Sequence, residues 1–84
     1  MPREIREDVI LEVLKVENAK GNPVIIRVVS WNGGEPKLEK RSFWMNEEGE
    51  LRAGKNIGMT AEDFKLVIEK KEEVLDALTR DIGY

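Results

Sequence analysis

"VIIRVVSWNGGEP", residues 24–36, sets a run of β-branched residues against an Asn-Gly pair. Val, Ile and Trp suit a pleated, packed surface, and Asn-Gly supplies the positive φ angles that a tight turn between strands needs. The stretch therefore reads as a strand over 24–31, a hairpin turn over 32–36 and an antiparallel strand returning from about Lys37 to Asn46. Beyond it, "EEGE" (47–50) turns the chain again through a left-handed Gly49. "LRAGKNIGM" (51–59) is a fourth, weaker strand whose two glycines mark a bulge or bend. Upstream, "NAKGNP" (18–23) has turn chemistry, and "DVILEVLKV" (8–16) reads as the first strand, apolar on much of both faces. An amphipathic helix through Ile5, Val9, Val13 and Val16 is the rival reading of that segment; its β-branched content favours the strand.

From Thr60 the period changes. Phe64, Val67, Ile68, Lys71, Leu75 and Leu78 share one helical stripe, with Val74 at its margin. "TAED" (60–63) opens the helix with an N-cap threonine and Asp63 at the capping-box position. One helix running to about Arg80 would be roughly 30 Å long, against about 20 Å for a six-residue strand. Such a helix overhangs its own sheet, and the same stripe from a second copy on a two-fold axis, near Leu75 and Leu78, is the simplest cover. The fold expected is α+β: a four-stranded antiparallel sheet followed by one C-terminal α-helix, as a homodimer.

Size points the same way. With 84 residues, 40% of them apolar, the chain is read as a single domain over 1–84, and without cysteine it has no disulfide or thiolate metal site to reinforce a small core. The start, "MPREIRED", is charged where a signal peptide would be apolar, and no long apolar run is present, so a cytoplasmic protein without membrane partners is expected. The net charge is −3, yet it is unevenly spread: residues 1–19 carry −2, residues 20–55 carry +2 and residues 56–84 carry −3. The middle of the chain is the segment suited to an anionic partner.

The catalytic inventory is poor. The chain has no histidine and no cysteine, so imidazole acid–base chemistry, thiolate nucleophiles and the commonest metal ligands are excluded. Ser30 and Ser42 have no recognisable base, and Glu47, Glu48 and Glu50 lack the ligand spacing of a calcium loop. No enzyme activity, metal or cofactor is expected. A carboxylate-only nuclease, dependent on divalent metal, is the residual enzymatic reading.

What remains is a sheet bearing Trp31 and Trp44 together with Arg27, Lys37, Lys40, Arg41, Arg52 and Lys55. Aromatic faces stack exposed bases at about 1–3 kcal/mol each while basic side chains follow phosphates, a combination suited to single-stranded nucleic acid. The competing reading makes both tryptophans core residues that pin sheet to helix. Residue types alone leave the two open.

The run "RSFWMNEEGELRAGK" (41–55), followed by a helix opening "TAEDF", resembles the C-terminal domain of the positive cofactor four family of transcriptional coactivators. "ENAKG" and "VVSWNGGEPKLEKR" are more similar to the prokaryotic YdbC-like members, and the resemblance spans about residues 8–78. It implies a strongly curved antiparallel sheet, a dimer through helices and sheet edges, and single-stranded DNA lying over the sheets. Position by position it points to Trp31, Lys37, Arg41, Trp44, Arg52 and Lys55 as the nucleic-acid-binding residues.

Two departures qualify what is carried over. Asn32, Gly34 and Glu35 stand where the eukaryotic coactivator has basic hairpin residues, and Asn56 replaces a lysine, which lowers the expected phosphate affinity. Arg41 and Trp44 are three positions apart and face opposite ways on a regular strand, so a shared site needs a bulge, a bend or the strand's end between them. Without a serine- or lysine-rich N-terminal extension, the chain reads as a minimal, prokaryotic or viral, nucleoid-associated form. The resulting expectation is a largely sequence-independent single-stranded DNA-binding module in transcription regulation or DNA maintenance, with the transcription machinery as a partner class. An RNA-binding variant and a scaffold dimer without nucleic-acid binding are the alternatives.

Overall fold

The computed structural model describes residues 6–80. Four strands, β1 (Glu7–Glu17), β2 (Pro23–Trp31), β3 (Lys37–Met45) and β4 (Leu51–Asn56), form one open antiparallel sheet in the order β1-β2-β3-β4. Two short helices follow, α1 (Ala61–Glu69) and α2 (Lys71–Leu78). The fold is α+β, as the alternation of strand and turn signals indicated.

The decisive hairpin forms through the chemistry expected of it. Asn32 and Gly33 both adopt positive φ (51° and 73°), and Gly34 N–H donates to the Trp31 carbonyl at 2.8 Å, closing a turn of the type that suits strand twist. The Ser30 hydroxyl then donates to the Gly34 carbonyl at 2.7 Å, so the longer loop to Lys37 is tied down. Gly49 is left-handed as well, at φ 81°.

β1 explains its own ambiguity. Val9 pairs with Val29 and Leu11 with Val28, leaving Ile10 extra; Glu12 pairs with Arg27 and Leu14 with Ile26, leaving Val13 extra. These two bulges let Ile10, Leu11, Val13 and Leu14 all join the core beneath the helices. The core-facing residues of β1 are thus spaced one, two and one apart, without the strict alternation of a regular strand. Of the rival helical stripe, Val13 is buried, Val9 and Val16 are about half exposed, and Ile5 lies outside the described residues.

The core lies between the sheet and the two helices. Val13, Ile26 and Val28 pack with Val67, Val74 and Ala77, and Leu38 and Leu78 close the sides. The expected single helix is broken at Lys70 (φ −112°, ψ 25°), whose N–H reaches back to the carbonyls of Val67 and Ile68. The Lys70 ammonium donates to the Val13 carbonyl at 3.0 Å, in the second β1 bulge. This bond anchors the break to the sheet and helps explain its place: the helix bends where a cation can satisfy a bulge carbonyl. The break also divides the apolar stripe. Val74, expected at the margin, is buried at its centre, while Phe64 and Leu75 are 60% and 62% exposed.

The helix start is as expected: Thr60 and Asp63 form a reciprocal capping box. Asp63 also accepts from the Lys40 ammonium at 2.7 Å, fixing α1 to β3. Between that ion pair and Leu66 a cleft of about 260 Å³ runs along Leu14, Val24 and Ile26. Among the described residues no helix is long and apolar enough to cross a membrane.

Candidate nucleic-acid interface

The sheet has two faces, and strand alternation assigns the side chains to them. Ile26, Val28, Leu38 and Lys40 face the helices, whereas Arg27, Trp31, Lys37, Glu39, Arg41 and Phe43 fall on the open face. On that face the polar groups form one connected cluster. Glu39 accepts from Arg27 Nε at 2.9 Å, from Arg41 Nε at 2.9 Å and Nη2 at 3.0 Å, and from Trp31 Nε1 at 3.3 Å. Arg27 reaches Glu7 at 2.9 Å as well, and Arg41 Nη1 donates to the Gly54 carbonyl at 2.7 Å. Guanidinium and ring also meet: Arg27 lies 5.6 Å from the Trp31 centroid and 5.0 Å from that of Phe43, and Arg41 lies 5.2 Å from Trp31.

Arg27 is 3% exposed, and burying a guanidinium is tolerable only because two carboxylates and two aromatic faces replace its water. Sequence reasoning passed over Arg27 and Glu39 as site residues. Their signal lay in alternation: Arg27 and Trp31 are four apart on one strand, and Glu39 and Arg41 two apart on the next.

Trp44 and Arg52 sit elsewhere. They are directly paired across β3 and β4, and alternation puts them on the face opposite Arg41. A bulge does occur at this point, yet it lies in β4: Arg41 pairs with Asn56 and Phe43 with Ala53, leaving Gly54 and Lys55 opposite Ser42. A Cβ on Gly54 would stand 3.0 Å from the Ser42 carbonyl oxygen, so glycine is what lets the strands close here. The bulge does not turn β3, and the six candidate residues do not form one surface patch.

Trp31 and Arg41 join the internal cluster, half-buried. Trp44 is 49% exposed, and the next pair towards the hairpin end, Met45 and Leu51, is exposed on the other face. Arg52 pairs with Glu50 at 3.1 Å in solvent, while Lys37 and Lys55 are exposed with no ion-pair partner among the described residues. Neither tryptophan is a core residue.

Two carboxyls are tuned by this architecture. Burial pushes that of Glu39 upward, but the hydrogen bonds from Arg41, Arg27 and Trp31 together outweigh it and hold Glu39 below its ordinary value. The Lys40 hydrogen bond, followed by that from the Thr60 N–H, holds Asp63 below its own. A carboxyl with a lowered folded-state pKa contributes stability above the unfolded value and loses it as pH falls through the folded one. Urea midpoints should therefore be flat down to about pH 5 and fall from about pH 4 downward, less steeply in Asp63→Asn. A midpoint that rises on acidification would refute the assignment.

No protein-family model matches the chain, and no curated protein matches it in sequence.

Proposed function

We propose that the chain is a single-stranded nucleic-acid-binding module, DNA being the preferred ligand, with no catalytic activity. The observation that carries the reading is Trp44: a large aromatic ring half open to solvent, paired across the strands with Arg52, with exposed Lys55 at the β4 bulge on the same hairpin. An open ring can stack a base and the neighbouring cations can meet its phosphates, without reading sequence. The resemblance to positive cofactor four supports the same conclusion and a role in transcription regulation or DNA maintenance.

With Arg41 neutralised by Glu39, only about two to four phosphates are engaged per protomer, so log affinity should fall with log salt by about 0.7 per phosphate. Tryptophan fluorescence tests this directly. Titrated with oligo-dT and a matched duplex at about 50 and 200 mM salt, the single strand should keep quenching while the duplex fades. Equal affinity for the two forms, or no quenching, would remove the stacking mechanism. Oligo-U in the same titration distinguishes the RNA-binding variant.

The reading includes a symmetric homodimer. Phe64, Ile68, Leu75 and Leu78 border an apolar groove of about 350 Å³ between α1, α2 and β3, and among the described residues Phe64 and Leu75 stay largely exposed. A core this small gains from burying that groove against a second copy. Light scattering at tens of micromolar should give twice the chain mass, and a folded monomer would count against the dimer. A scaffold dimer without nucleic-acid binding is the second reading, favoured by the net charge of −3.

A further inference from the structure

Glu39 occupies a site built for an oxyanion. Arg27 Nε and Arg41 Nε converge on its Oε1, and Arg41 Nη2 and Trp31 Nε1 on its Oε2, all within 3.3 Å. Two guanidinium groups and an indole N–H aimed at two oxygens would suit a phosphate as well as a carboxylate, because both present planar pairs of charged acceptors. We propose that Arg27, Trp31 and Arg41 form a phosphate-binding subsite on the open face of the sheet, which the chain's own Glu39 fills until a nucleic-acid phosphate displaces it. The inference rests on the reading of the chain as a single-strand binder and adds to it a residue that restrains binding.

The geometry allows the exchange. Glu39 and Arg41 keep 10% and 17% of their side chains in contact with solvent, so the site is reached from outside. When Glu39 leaves, Arg41 remains oriented by the bond from Nη1 to the Gly54 carbonyl, and Arg27 remains paired with Glu7. No buried cation is left without a partner. Until then, two arginines are balanced by Glu7 and Glu39, and this face offers a polyanion little attraction beyond exposed Lys37. A phosphate arriving alone would gain little by replacing a carboxylate already in place. One on a strand that is also held by base stacking at Trp44, on the other face of the hairpin end, gains from both attachments, so the restraint discriminates against ligands that bring charge without exposed bases.

Glu39→Gln keeps the size and an acceptor oxygen and removes the charge. If one further phosphate is then neutralised, the salt slope for oligo-dT should steepen by about 0.7. Affinity should rise roughly eightfold at 50 mM salt and approach that of the wild type near 1 M. A folded Glu39→Gln that binds oligo-dT no more tightly than the wild type, while the wild type binds, overturns the subsite and leaves the single-strand reading intact. Should neither protein bind oligo-dT, both fall. Wild-type NMR decides the matter independently if the variant does not fold. The Arg41 Nε–H and Trp31 indole N–H signals must shift as oligo-dT saturates the protein, and an unmoved Arg41 signal at saturation overturns the proposal.

Discussion

Arg27→Ala is expected to lower stability by about 3–5 kcal/mol, the cost of removing one partner from a buried ion pair. The guanidinium is 3% exposed and holds Glu39 and Glu7 at 2.9 Å, so its removal leaves Glu39 desolvated on one side. It also empties the space over Phe43 and beside Trp31. For a domain whose whole stability is on the order of 5–15 kcal/mol, such a loss brings the chain close to unfolding at room temperature. Arg27→Lys keeps the charge but cannot span two carboxylates in one plane, and should lose less. Urea denaturation at neutral pH reads both. A loss under about 1 kcal/mol in Arg27→Ala would mean that the pair behaves as a surface salt bridge, and that the cluster is more open than its geometry indicates.

Much of this architecture was legible beforehand. Asn32-Gly33, Gly49 and the Thr60–Asp63 box are local devices whose residue types follow from backbone geometry, and each is where its chemistry put it. The helix break at Lys70 was not legible, because neither glycine nor proline marks it. Its partner, the Val13 carbonyl, becomes available only through a bulge 57 residues earlier. The buried cluster was hidden for a related reason. Glu7, Arg27 and Glu39 come from three strands, and which of them meet depends on registers that the β1 bulges shift. The opposition of Arg41 and Trp44, by contrast, follows from their spacing of three. The nearby bulge belongs to β4, where the glycines of the fourth-strand segment mark a bulge or bend.

That opposition changes how Trp44 should be tested. Trp44→Ala should weaken oligo-dT binding by about 1–3 kcal/mol through loss of one stacked base. Because the ring is 49% exposed and outside the core, its stability effect should stay below about 1 kcal/mol. Arg41→Ala is not the matching phosphate control. Arg41 ties Glu39 to the Gly54 bulge, so its removal should lower stability as well as any binding it supplies. Arg52→Ala is cleaner, since its pairing with Glu50 is solvent-exposed and worth about 0–1 kcal/mol. If Trp44 and Arg52 act on one nucleotide, the double variant should lose less than the two single losses combined, because removing the stacked base also withdraws its phosphate from Arg52. Fully additive losses would mean that ring and guanidinium serve separate nucleotides. Unaltered binding in Trp44→Ala, with the fold intact, would move the interface off this hairpin and point instead to the open face around Trp31.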